Sequence, residues 1–368
     1  THSKKVADKS KEREMIAAHE KSLAMLKSGE GTTNERLHHS IANINAIDPD
    51  ENDKSMHSKH IKDIALDWLD AYEERIENPD KCGITTGIDD LDEITGARGH
   101  QPGDVVIIAG RPKAGKTITG TKIRNHIAIA LNRPVQDFSM EMRNNLLFER
   151  ALTQETGISG SKFYETMSDS DFGQVSGAMQ TLMNTNIFID DRSNLTFNQI
   201  RSEARRRSKE LGGYGSLGAI FIDYFTLMSI EGDTSNVSYG YAQISKGIVA
   251  LAKELGTVVF MLAQLNRDCE KRPDKRPMAS DLGDTDQLAR DASMIITLYK
   301  EDVYIPDTPM KGIVELIVRV NRNGNTGTSY QNMINGRFVN MDASDIGRRV
   351  AEAEYQEKQN NSSKEWNG

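Results

Sequence analysis

The chain has 368 residues, 37% of them hydrophobic, and a formal net charge of −8. That length suits one large domain plus an appendage, and the acidic balance excludes a generally basic nucleic-acid coat protein while leaving room for a local basic channel. Cys82 and Cys269 fit no metal or redox spacing and read as free thiols of a reducing, cytoplasmic setting; no apolar run reaches membrane-span length and no secretory signal is present.

The first residue is Thr1 rather than methionine, so a processed form or a fragment of something longer is expected. Residues 1–57 are polar and charged. Ser10–Lys27 reads as a helix with Ile16, Leu23 and Leu26 near one face and Gly29 as a stop signal. Asn34–Ile47 reads as a second short helix before Asp48-Pro49, and Asp50–Ser58 as a polar linker. Residues 58–82 hold a clearer helix, Lys59–Glu77, ended by Asn78-Pro79. Ile61, Ile64, Ala65, Trp68, Leu69, Tyr72 and Ile76 form one apolar stripe that must dock on its own domain or on another subunit.

Residues 83–345 alternate apolar strands with helices, the pattern of an α/β domain with a mainly parallel sheet. The strand candidates are Val105–Ala109, Val135–Ser139, Ile187–Asp190, Ala219–Ile222, Val258–Ala263, Ser293–Tyr299 and Ile313–Val320. Residues 346–368 are polar and read as a disordered tail.

Gly110-Arg111-Pro112-Lys113-Ala114-Gly115-Lys116-Thr117 fits the P-loop pattern G-x-x-x-x-G-K-[ST] at every fixed position. An apolar strand precedes it and a helical pattern follows. Glycines let the backbone curl so that N–H groups face phosphates, and a helix N-terminus adds partial positive charge. Lys116 then reaches the β- and γ-phosphates, and the Thr117 hydroxyl binds Mg²⁺. The chain therefore reads as a nucleoside triphosphate binder.

Asp223, at the end of Ala219-Ile220-Phe221-Ile222, is the strand-terminal acid expected to orient Mg²⁺. Glu141 follows the strand Val135–Ser139. If that strand is the neighbour of the P-loop strand, Glu141 lies at the nucleotide crevice and could activate water; position alone equally allows a solvated acid at a helix start. Gln264, ending Val258–Ala263, suits a γ-phosphate sensor or a cap.

Phe138-Ser139-Met140-Glu141-Met142, with Leu146 and Arg150, resembles the second motif of the DnaB family of hexameric replicative helicases. Ile222-Asp223-Tyr224-Phe225-Thr226-Leu227-Met228, Leu262-Ala263-Gln264-Leu265-Asn266-Arg267 and Arg319 to Thr328 resemble three further motifs of that family. Arg276 to Leu282 and Ala250 to Leu255 add matches in the same order. The resemblance spans roughly Gly83 to Asp342. It implies a RecA-like ATPase fold preceded by a helical segment and a linker helix, with ATP and Mg²⁺ at subunit interfaces of a hexameric ring. Carried over residue by residue, Glu141 is the catalytic base, Gln264 the γ-phosphate sensor, and Arg322 an arginine finger given to the neighbour's ATP. The implied activity is 5′-to-3′ translocation on encircled single-stranded DNA at a replication fork, in the cytoplasm of a bacterium or of a phage's host. A helicase loader and a primase are the implied partners. The first 57 residues match at most the end of the family's N-terminal domain, as in a truncated chain or a short phage-encoded relative.

Two departures stand out. The family's lysine two residues before the finger is Val320 here; Arg319 lies one residue earlier and, by strand alternation, on the other face. The family's Arg-Glu-Ser-Gly DNA loop is Gly283-Asp284-Thr285-Asp286 here, which weakens phosphate contact. Asp281, Leu282, Gly283, Asp284 and Thr285, continuing to Arg290, remain the DNA-loop candidate, and Gly232–Tyr239 is a second. The run Lys271-Arg272-Pro273-Asp274-Lys275-Arg276 beside that loop is a candidate for electrostatic attraction. Arg201, Arg205, Arg206, Arg207 and Lys209 form either a solvated helix face or a phosphate-contacting rim. The resemblance also gives Lys59–Glu77 the role of docking on the adjacent subunit. A RecA-type recombinase, a KaiC-like regulatory ring and a non-catalytic nucleotide-gated scaffold share the fold and stay open as alternatives.

Overall fold

A computed structural model describes residues 60–77, 83–96, 98–230, 237–339 and 341–365, together with parts of 13–27. The described positions within 13–27 are helical, whereas the expected helix Asn34–Ile47, the linker Asp50–Ser58, Asn78-Pro79 and Cys82 lie outside the described residues. Contacts divide the chain into two units, residues 1–72 and 73–368. The helix α1 (Ile61–Glu77) runs through that division. Ile61, Ile64, Trp68, Leu69 and Tyr72 on its stripe are exposed, with Trp68 and Tyr72 stacked at 5.2 Å.

The second unit is built on one sheet of nine strands in the order β3-β2-β4-β5-β1-β6-β7-β8-β9. The strands are β1 (Val105–Gly110), β2 (Val135–Ser139), β3 (Ile187–Asp190), β4 (Ala219–Asp223), β5 (Val258–Gln264), β6 (Met294–Tyr299), β7 (Ile313–Asn321), β8 (Gly327–Ile334) and β9 (Arg337–Val339). From β3 to β6 every pairing is parallel, and β7, β8 and β9 are added antiparallel. Seven strands match the expected segments to within a residue or two. β8 and β9 carry no comparable apolar run, because Ser329, Gln331 and Asn332 interrupt β8 and β9 is only three residues long.

Both faces of the sheet are covered, which explains why the central strand β1 is apolar along its whole length. Val105, Ile107 and Ala109 pack into one core cluster, whereas Val106 and Ile108 pack into the other. The first cluster is closed by α6 (Phe197–Glu210), α7 (Val237–Leu255) and α8 (Asp286–Asp291) through Ile200, Ile248, Leu251 and Leu288. The second is closed by α2 (Asp89–Thr95) and α3 (Lys116–Ile129) through Leu91, Ile123 and Ile127. Helices α4 (Asn144–Thr156) and α5 (Asp169–Met183) meet around Ala151, Leu152 and Leu182.

The last helix, α9 (Ala343–Glu365), corrects the expectation of a disordered tail. Asp342 accepts the Ser344 N–H at 2.8 Å, and Asp345 pairs with Arg348 and Arg349 one turn on. Local capping and spaced charge pairs support a helix without an apolar stripe.

Between α3 and β2 lies an almost fully buried ion pair, Arg124 Nη1 to Asp137 Oδ2 at 2.6 Å. Removing one partner strands the other charge in the core. Asp137→Ala is therefore expected to destabilise folding by about 3–5 kcal/mol, measured by urea unfolding, with much less loss in the Arg124→Leu/Asp137→Leu double variant.

Candidate nucleotide site

The P-loop joins β1 to α3 in the centre of the sheet. Gly115 precedes the helix at φ 101°, and Lys113 is also left-handed at φ 67°. A side chain at Gly115 would be strained by that backbone angle. Helix α3 begins at Lys116, so its first N–H groups have no intrahelical acceptor and face the loop's concavity. Lys116 Nζ donates to the Gly110 carbonyl at 3.1 Å and lies 5.9 Å from the Tyr224 ring centroid. Burial lowers the Lys116 pKa, opposed by the negative charges of Asp223 and Glu141. Ala114 is buried, and its N–H closes the turn on the Arg111 carbonyl at 3.1 Å.

Asp223 and Thr117 line one small cavity together with Thr121, Arg124 and Asp137. Asp223 is 4% exposed, and its Oδ1 has no hydrogen-bond partner. Burial, followed by the charges of Asp137 and Glu141, pushes the Asp223 pKa up to about 7. A carboxylate with an unpartnered oxygen and a threonine lining the same cavity fit Mg²⁺, which takes hard oxygen ligands and keeps part of its water shell.

Glu141 reaches this site by a different route from the expected one. β2 pairs with β3 and β4, not with the P-loop strand, because β4 and β5 stand between them. The alignment of Ser139 with Asp223 brings the two strand ends together, and the Met140 N–H donates to the Asp223 carbonyl at 2.7 Å. Ser139 Oγ accepts the Met142 N–H at 3.3 Å and shapes the turn that carries Glu141. Glu141 is exposed, and its charge is felt at both Lys116 and Asp223. Gln264 ends β5 directly beside Gly110 of β1, exposed at the same edge of the sheet. Lys116, Thr117, Asp223, Glu141 and Gln264 thus share one edge.

Arg322 does not. It follows β7, whose last residue Asn321 aligns with Met294 at the start of β6. Gly110 aligns with Leu298, four residues further along β6, so Arg322 lies at the opposite edge, at least about 13 Å away at strand rise. There its N–H donates to the Ser293 carbonyl at 2.9 Å and its guanidinium to the Arg290 carbonyl.

Arg319 and Val320 share a face of the sheet, contrary to simple alternation. Ile296 aligns with Val318 and Ile295 with Val320, so Arg319 is the extra residue of a bulge. Val320 packs with Ile295, and Arg319 Nε donates to the Pro277 carbonyl, which also accepts from Thr297 on that face. A bulge redirects side chains in this way.

Arg111 turns out of the phosphate cradle. Its Nε meets Glu270 Oε1 at 2.7 Å and its Nη1 donates to the Leu265 carbonyl at 2.8 Å. Pro112 lines a neighbouring hollow with Tyr299 and Tyr304.

The residues expected to touch DNA divide sharply. Asp281 is buried and accepts both Arg272 Nη1 and Nη2, at 2.8 and 2.6 Å. Leu282 is a core residue. Arg276 is held in a two-pronged pair by Glu315, which is 2% exposed, and lies 5.0 Å from the Tyr299 ring. These side chains are committed to the fold, so the apparent basic run is largely neutralised from within. Lys271 stays exposed in a surface pair with Asp268, and Lys275 lies over Tyr304. Gly283, Asp284 and Thr285 continue a 3₁₀ turn, Ala279–Thr285, that leads into α8. The start of the second loop candidate, 232–236, lies outside the described residues, and Tyr239 at its end is exposed on α7. The arginines of α6 are likewise paired, Arg201 and Arg205 with Glu254, and Arg206 and Arg207 with Glu203 and Glu210. Cys269 is a buried free thiol, and none of the described helices is long and apolar enough to cross a membrane.

A P-loop on the central strand, an acid two strands away and a glutamine ending the strand between them are the arrangement of a RecA-like ATPase domain. The model of the DnaB-like helicase C-terminal domain matches residues 83–339. The chain belongs to that family. Among curated relatives, the replicative DNA helicase DnaB of Geobacillus stearothermophilus is 36% identical over 302 residues, 80% of this chain and 64% of that protein. The replicative DNA helicase DnaC of Bacillus subtilis is 34% identical and is covered over 62% of its length. The chain thus spans somewhat less than two thirds of these relatives. Among solved structures, a DnaB-like replicative helicase described with its primase interactions aligns over 93% of this chain and 78% of its own at TM-score 0.73 and 28% identity. A solved ATPase domain aligns over its full length, covering 78% of this chain, at TM-score 0.71 and 30% identity. These matches favour the helicase reading and lend no support to the recombinase or regulatory-ring alternative.

Proposed function

We propose that this protein is an ATP-driven replicative DNA helicase that works as a ring around single-stranded DNA. The observation that carries the ring is the separation of Arg322 from its own P-loop across the height of the sheet. A finger arginine so placed can complete only a neighbour's site. ATP is the substrate, cradled by the backbone of the loop Gly110–Thr117 and by Lys116. Thr117 and Asp223 would hold Mg²⁺, which supplies charge neutralisation on the phosphates when bound. Glu141, held at the edge by the Ser139 turn, takes a proton from the attacking water, and Gln264 reads the γ-phosphate. In this reading α1 docks on the adjacent subunit, the ring is hexameric, and movement is 5′ to 3′. DNA is met by the backbone of Ala279–Thr285 and by exposed lysines such as Lys271, because the arginines nearby are held by buried acids. Primase and a loader are the partners at a replication fork in the cytoplasm.

Lys116→Ala tests the motor. ATP hydrolysis and strand displacement are both expected to fall below detection in coupled assays, with the melting temperature kept. Displacement that survives without hydrolysis would end the reading.

A further inference from the structure

We propose that Arg111, which the P-loop pattern places among the phosphate-cradling residues, is a positioning residue whose ion pair with Glu270 links occupancy of the P-loop to the turn after Asp281. The inference rests on the reading above, in which the P-loop takes ATP and Ala279–Thr285 meets DNA.

Both contacts of the Arg111 guanidinium fall on the segment that leaves the sheet after Gln264. One is the Leu265 carbonyl, the next residue in the chain, and the other is Glu270 at 2.7 Å. The segment is short and tightly tied. Residues Arg267–Lys271 form a 3₁₀ turn, and the buried Cys269 thiol donates to the Asn266 carbonyl at 3.2 Å. Two residues past Glu270, Arg272 grips Asp281 with both terminal nitrogens, and the Asn266 N–H donates to the Asp281 carbonyl at 2.8 Å. Asp281 lies within the turn Ala279–Thr285.

The chain of contacts therefore runs from the P-loop through Arg111, Glu270, Arg272 and Asp281 to the proposed DNA turn. Arg111 meets Glu270 through its Nε alone, the backbone of two residues joins Glu270 to Arg272, and Arg272 holds Asp281 in a two-pronged fork that fixes direction as well as distance. Arg111 is 12% and Glu270 36% exposed, so the pair is partly shielded from salt and water. Phosphate in the cradle acts on the P-loop backbone that carries Arg111, and the anchors at 265 and 270 carry that change into the segment. Linkage requires the reverse effect of equal size, so DNA on the turn alters nucleotide affinity through the same contacts.

The test is Glu270→Gln in the full chain, which keeps the shape and removes the charge. Two affinities are measured: that of a fluorescent non-hydrolysable ATP analogue, and that of a labelled single-stranded oligothymidine with and without the analogue. The wild type is expected to bind the oligonucleotide more tightly with analogue present, within the usual coupling range of about 5–150-fold. In Glu270→Gln that ratio collapses toward one while analogue affinity in the absence of DNA is retained, and Glu270→Asp recovers part of the ratio. A purely structural staple would lower the melting temperature and leave the ratio intact. An unchanged ratio overturns the inference alone, as does a loss of analogue affinity matching the loss of coupling, which would put the pair in the phosphate site. A wild type that binds no oligonucleotide in either state overturns the helicase reading and the inference with it.

Discussion

Arg322→Ala is expected to lower ATP turnover by about 10³–10⁵-fold while leaving nucleotide binding nearly intact. The guanidinium stands at the edge of the sheet opposite the P-loop, so its loss takes nothing from its own subunit's cradle. What disappears is positive charge placed against the transferring phosphoryl group of the neighbour. A mixing experiment separates this from a local structural role. Arg322→Ala subunits keep an intact Lys116, Asp223 and Glu141, and Glu141→Gln subunits keep an intact Arg322. Each variant alone is inactive, but a mixed ring contains interfaces with every group present, so ATPase activity is expected to return on mixing. If mixing restores nothing, Arg322 serves its own subunit, for example by holding the Arg290 carbonyl, and the interface model fails.

Asp223→Asn is expected to move stability and activity in opposite directions. The carboxyl is buried, one oxygen has no partner, and its pKa is raised from 3.8 to about 7. A raised carboxyl pKa means that the native state binds the extra proton between these two values, so wild-type stability falls as pH rises through that window. Above pH 7 the full penalty applies, on the order of a few kcal/mol for a shift of this size. The amide removes the charge and so removes the penalty. In nucleotide-free protein at pH 8 the variant should melt several degrees higher than wild type, at roughly 2–4 °C per kcal/mol for a chain of this size. The gain should shrink steadily as pH falls from 7 toward 4. Hydrolysis should be lost, and so should the stabilisation that wild type draws from Mg²⁺ and ATP. A variant that melts below wild type at pH 8 would contradict this account.

Much of the site was legible because its chemistry is local. The glycine spacing that curls a P-loop and the apolar runs of β1, β4 and β5 occupy consecutive residues. Asp223 and Gln264 could be named because each ends such a run. The neighbour relation of β2 could not be read the same way. Strand order depends on which helices cross which face, so Glu141 reaches the site beside Asp223 and not beside the P-loop strand. Charge was the least legible property. Arg272, Arg276 and the α6 arginines look free in sequence, and their carboxylate partners include Asp281, Glu315 and Glu254, 9, 39 and about 50 residues away. Arg319 shares the face of Val320, against strand alternation, because a bulge breaks the two-residue period.

The sequence by itself determined that a triphosphate cradle sits on a buried strand, that an acid and a glutamine end two further strands, and which family supplies that pattern. Tertiary structure alone decided that these three groups share one edge of the sheet while Arg322 occupies the other, and that Arg272 and Arg276 are bound to buried acids. The reason is one of range. Backbone conformation and apolar periodicity are set by neighbours in the chain, but the distance between two charges is set by register and topology, which no short window of residues contains.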